Sequence, residues 1–209
     1  MQTRDNAAPE LGAIEVSVIT RSSFLVRGAL ATGGLYGAGA VGGFDTRAFA
    51  QGGGGDVDIL NFALTLEYLE AAFYVDGLKR AKLTGEAKKQ ATTFGDHEAE
   101  HVDALTATIK DLGGKPVKSP MVEFPFTDQK SFLELAQVFE DTGVSAYNGA
   151  APMIQSKEVL AAAGSIVQVE ARHAGAIRLL RGEDPSPQAF DKTMTTDQVL
   201  KAVKPFIKA

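Results

Sequence analysis

Two short motifs in this chain carry the same chemistry. Glu98-Ala99-Glu100-His101 and Glu170-Ala171-Arg172-His173 each set a glutamate three residues before a histidine. On a helix, residues three apart share a face. One carboxylate and one imidazole from each motif can therefore reach a common point, as a metal-binding pair or, on a solvated surface, as a simple hydrogen bond. With 3 histidines and no cysteine in the chain, any metal must be held by oxygen and imidazole nitrogen, a donor set that suits iron or manganese. The third histidine, His97, lies four residues before His101. The second motif has Val169 at that position, so His97 is left outside the ligand set.

The rest of the chain supplies matching partners. Glu67 precedes Glu98 by 31 positions and Glu140 precedes Glu170 by 30. Tyr74 follows Glu67 by seven residues, and Tyr147 follows Glu140 by seven. The chain thus reads as two similar helical hairpins whose pairing about a pseudo-twofold axis would unite two half-sites. The expected metal ligands are Glu67, Glu98, His101, Glu140, Glu170 and His173, with Glu98 and Glu170 shared between two ions. The repeat favours Glu67 over Glu70; Glu70 is expected as an extra ligand or, with Tyr74 and Tyr147, as a hydrogen-bonding neighbour of the ligands. Glu67, Glu140 and Glu170 fall on apolar stripes, where Glu140, for example, shares its face with Leu133, Ala136, Val144 and Tyr147. A carboxylate buried there is costly unless paired or coordinated.

Four long helices must position these groups. Apolar periodicity and caps predict them over about 56–80, opened by Asp56 or Asp58; 84–112, stopped at Gly113-Gly114; 127–151, disturbed by Pro152; and 156–181, opened by Ser156 and closed by Gly182. A short helix over 196–207 follows, with a capping box from Thr195 and Gln198. No strand is expected. The connections within each hairpin are short, whereas the one holding Pro116, Pro120 and Pro125 is long enough to cross a bundle. Two Glu-x-x-His helices plus one glutamate from each of the others is the ligand arrangement of an all-α, ferritin-like four-helix bundle.

The stretch Leu66-Glu67-Tyr68-Leu69-Glu70-Ala71-Ala72-Phe73-Tyr74 and both Glu-x-x-His motifs resemble the bacterial ferritin-like domain family that includes desiccation-related proteins. The resemblance covers about Asp56 to Arg181. It implies a dinuclear centre of two iron ions, or alternatively two manganese ions, in a protein that is often exported. The expected reactions are oxidation of Fe(II) with O2 or removal of peroxide. The alternative is a non-catalytic protein that sequesters metal or protects the envelope under stress.

The N-terminal region reads as an address. Arg21 and Arg27 precede an uncharged, glycine-rich stretch from Gly28 to Phe44, and Ala48-Phe49-Ala50 resembles a cleavage site. Thr20-Arg21-Ser22-Ser23-Phe24-Leu25 resembles a twin-arginine signal with Ser22 in place of the second arginine. The expected division is an export segment over 1–50, a glycine linker over 51–55, the bundle over 56–183 and a C-terminal extension over 184–209. Export would place the protein in the periplasm or outside the cell, with membrane contact only through a retained N-terminal segment. A net charge of -5 argues against nucleic acid as a partner; a homo-oligomer is left open.

Overall fold

The computed structural model describes residues 55–208. The export-like segment and most of the glycine linker lie outside the described residues. Within them the regular elements are all helices: α1 (Asp56–Arg80), α2 (Gly85–Asp111), α3 (Gln129–Ala150), α4 (Lys157–Leu180) and α5 (Thr196–Val203), with 3-10 turns at Ala151–Met153 and Lys204–Phe206. Extended pairing among the described residues is limited to one isolated bridge, Val122 with Ile207.

The helix ends follow local chemistry, with two departures from expectation. Asp128 accepts from the Ser131 amide at 2.9 Å, Ser156 from Val159, and Thr195 forms a reciprocal capping box with Gln198. The α1 cap is Gly55, without a side-chain cap, in place of the expected Asp56 or Asp58. Asp56 instead reaches across to accept the Gln155 and Ser156 amides, both at 2.8 Å. A tertiary use of this carboxylate has replaced the local one. The last helix is also shorter than 196–207: α5 stops at Val203 and the chain tightens into the turn holding Pro205, because proline has no amide hydrogen and clashes with the preceding helical turn.

α1 packs most closely on α2, and α3 on α4, as two antiparallel hairpins; α1 also meets α3, and α2 meets α4. The contacts of Asp56 place the α3–α4 turn at the start of α1. The Thr84 amide donates to Gln129 Oε1 at 2.9 Å, which places the start of α3 beside the α1–α2 turn. Residues 112–128 therefore run the length of the bundle. Near the start of α1, Asn61 holds this crossover through the Val117 amide and the Lys115 carbonyl. Near its end, Arg80 donates to the Phe124 carbonyl and lies 4.5 Å over the Phe126 ring.

Two apolar clusters fill the bundle. One contains Phe73, Phe124, Phe126, Phe132 and Phe139; the other contains Leu60, Leu64, Leu105, Ile109 and Ile166. Glu67 and Glu70 lie on α1 between Leu64 and Phe73, so the acidic layer is sandwiched between the two. Phe73 and Phe132 stack in parallel at 4.6 Å, and this close approach is possible because α1 carries Gly77 there. A Cβ at Gly77 would stand 2.1 Å from Phe132 Cε2. Gly77→Ala is therefore expected to destabilise the protein by about 1–3 kcal/mol through overpacking, against the gain in helix propensity. A lowered urea midpoint with an unchanged slope is the measurement that checks it.

Candidate metal centre

All six expected ligands converge in the middle of the bundle. Glu67, Glu98, Glu140 and Glu170 have no exposed surface, and His101 and His173 are 5% and 2% exposed. They form two overlapping groups. In the first, Glu67, Glu98, His101 and Glu170 each offer one atom, all within 4.8 Å of one another; in the second, Glu98, Glu140, Glu170 and His173 do the same. Glu98 and Glu170 belong to both.

The imidazoles present corresponding nitrogens. His101 Nδ1 lies 3.1 Å from Glu67, 3.0 Å from Glu98 and 3.1 Å from Glu170. His173 Nδ1 lies 3.0 Å from Glu98 and 3.3 Å from Glu140. Of these contacts, those of His101 Nδ1 with Glu67 and Glu98 are hydrogen bonds; the others are close without pairing. Seven buried side-chain atoms lack a hydrogen-bond partner among the described residues, and five belong to this cluster: Glu98 Oε1, Glu140 Oε2, both oxygens of Glu170, and His173 Nδ1. Buried polar atoms are almost always satisfied. Donor atoms that crowd together yet do not pair fit the binding of cations between them.

Tyr74 and Tyr147 brace the cluster across the hairpin boundary. Tyr74 on α1 donates to Glu140 on α3, and Tyr147 on α3 donates to Glu67 on α1 at 2.5 Å. Burial pushes both phenols well above their ordinary range, and the adjoining Glu140 and Glu67 charges push the same way. Both therefore remain protonated donors. Glu70 joins the cluster too. It is 3% exposed, and burial together with the charges of Glu170, Glu67, Glu98 and Glu140 raises its carboxyl well above the usual range.

Sequence reasoning missed one neighbour. The His97 ring lies almost parallel to that of His173, 5.2 Å away, and His97 Nδ1 and His173 Nε2 share a hydrogen bond at 2.9 Å. This bond fixes the His173 ring with Nδ1 toward the carboxylates, the orienting role that outer hydrogen bonds play for ligand histidines. Phe94 stacks on the same ring at 4.0 Å. The departure from the repeat at Val169 was the available signal, read in the opposite sense.

The electrostatics of the cluster follow from its burial. Burial lowers the proton affinity of both histidines, but the surrounding carboxylates more than reverse this, raising His101 from 6.5 to about 12 and His173 from 6.5 to about 10. Burial raises Glu98 from 4.5 to about 7 against the opposing pull of His101 and His173, and burial with the Glu98 and Glu67 charges raises Glu170 well above 4.5. Glu67 runs the other way: burial raises it, but bonds and charge from His101, with bonds from Glu98 and Tyr147, hold it below 4.5.

The family model described as "Ferritin-like domain" matches residues 55–183, more than half of the chain. Helices and acidic core thus define the class, and the chain belongs to the ferritin-like domain family. Comparison with curated proteins finds no match.

The metal-free protein holds more protons folded than unfolded through His101, His173, Glu98 and Glu170, so its stability falls as pH rises. The Glu98 contribution is lost between 4.5 and about 7, and the histidine contributions as pH climbs from 6.5 through about 10 and 12. Glu67 opposes this only below 4.5. Cation binding must displace these protons, so the stabilisation produced by added Mn(II) is expected to grow over the interval in which the metal-free protein weakens; thermal melts with and without metal at several pH values check it. Tyr74→Phe and Tyr147→Phe each leave a buried carboxylate oxygen without its donor. Each is expected to cost the metal-free protein about 1–3 kcal/mol, read by chemical denaturation.

Proposed function

We propose that this chain is an exported redox protein whose bundle holds a dinuclear iron or manganese centre through Glu67, Glu98, His101, Glu140, Glu170 and His173. The observation that carries the reading is the set of unpartnered buried atoms on Glu98, Glu140, Glu170 and His173. Four glutamates can neutralise two divalent ions, and one nitrogen faces each half of the cluster. Bound iron or manganese would supply the electron transfer needed to oxidise Fe(II) with O2 or to remove peroxide.

The protein's own side chains support that chemistry. The apolar clusters on either side of the acidic layer keep bulk water from it. The tyrosine donors hold Glu67 and Glu140 at fixed positions, and His97 with Phe94 holds His173. Carboxylates restrained in this way lose little freedom when a cation binds, which favours affinity. The export part of the proposal rests on the arrangement from Thr20 to Ala50; among the described residues no helix is long and apolar enough to cross a membrane. N-terminal sequencing of the protein from its native host tests it: a start near Gln51 supports cleavage, and an intact N-terminus opposes it.

Elemental analysis of protein purified without added metal, followed by Fe(II) with O2 and, separately, by peroxide, tests the centre. The expected result is about two metal ions per chain with turnover, and loss of both in Glu170→Ala and His173→Ala. Two ions without turnover would favour a sequestering or protective envelope protein. No metal, with both variants as stable as the parent, would sink the metal-centre reading.

A further inference from the structure

The pseudo-twofold pairing of the hairpins is broken at one position inside the acidic layer. Glu67 corresponds to Glu140, so Glu70, three residues on, corresponds to Gly143. The structure brings these non-identical partners together. A Cβ at Gly143 would stand 3.1 Å from Glu70 Oε1 and 3.5 Å from Glu170 Oε2. The bare backbone of α3 thus makes room for two carboxylates to converge on one spot. Both oxygens of Glu170 are buried without a hydrogen-bond partner, and Glu70 is itself 97% buried by its 3% exposure.

We propose that Glu70 is a fifth carboxylate ligand of the centre, admitted by Gly143, whose charge favours trivalent over divalent ions. This rests on the metal-centre reading above. The argument is charge balance in a buried layer. Glu67, Glu98, Glu140 and Glu170 as carboxylates, with neutral imidazoles, cancel two divalent ions. Two trivalent ions would leave an excess of two positive charges without Glu70 and of one with it. Uncompensated charge in an interior closed to water is costly, so the fifth carboxylate lowers the cost of the more highly charged pair. Glu70 then sets which oxidation state the site retains.

The test compares redox-inert probes, Zn(II) and Ga(III), binding to the metal-free parent and to Glu70→Gln. Calorimetric or competition titrations give the affinities, and circular dichroism confirms the fold. The expected result is a loss of roughly tenfold or more in Ga(III) affinity, a charge-assisted contact's worth, with a much smaller change for Zn(II). Glu70→Ala, which deletes the carboxylate outright, is expected to show the same preference. Equal changes for the two ions, or none, would overturn the role of Glu70 while leaving the six-ligand centre intact. If the parent itself binds neither ion, the metal-centre reading fails with it.

Discussion

Five carboxylates share a layer from which water is excluded, and the rest of the bundle is arranged around that burden. A lone ionised glutamate in an apolar interior is not tolerated without compensation. Here compensation comes from two imidazoles that hold their protons far above the usual range, from two phenols that stay protonated, and from raised carboxyl groups on Glu70, Glu98 and Glu170. These devices offset the cost of burying the carboxylates. They also leave five donor atoms unpaired, and a cation is the simplest way to complete them. The apolar clusters then act both as the source of folding free energy and as the wall that keeps the layer dry.

The order of the helices serves the same end. Each of α1 to α4 contributes a buried glutamate to the cluster, α1 contributes a second, and α2 and α4 add the histidines. Because residues 112–128 return along the bundle before α3 begins, α1 runs antiparallel to α3 and lies close enough for each tyrosine to reach the glutamate of the other hairpin. Neither hairpin alone has a complete set of donors. The seam between them is held by polar bonds at its centre and by phenylalanine packing toward the end where the crossover closes against Phe73.

Much of this could be read from the chain. Helix positions followed from apolar spacing, Gly113-Gly114, Ser156 and the Thr195–Gln198 pair, because these are local signals that act where they stand. The six convergent side chains were legible because a repeat of 31 and 30 positions is itself geometric information. What escaped were long-range choices. Asp56 had every local reason to cap its helix, yet it serves the Gln155 and Ser156 amides, some hundred residues away. His97 faces His173 rather than its sequence neighbour His101. Nothing beside Gly143 in the chain points to Glu70, which packs against it from another helix. Such partners depend on which helices become adjacent, and no single segment encodes that.

The pairing of Glu70 with Gly143, and of His97 with a helix that has Val169 in the matching position, bears on how such a chain could arise. Two identical hairpins associated as a symmetric dimer would present glutamate to glutamate, or glycine to glycine, wherever equivalent positions meet at the axis, since an isologous interface uses the same patch on both sides. Room made on one side for a group on the other requires two halves that can change independently. Joining duplicated hairpins into one polypeptide provides that freedom. The crossover is therefore more than a tether: it lets the two halves of a repeated scaffold differ in their interior.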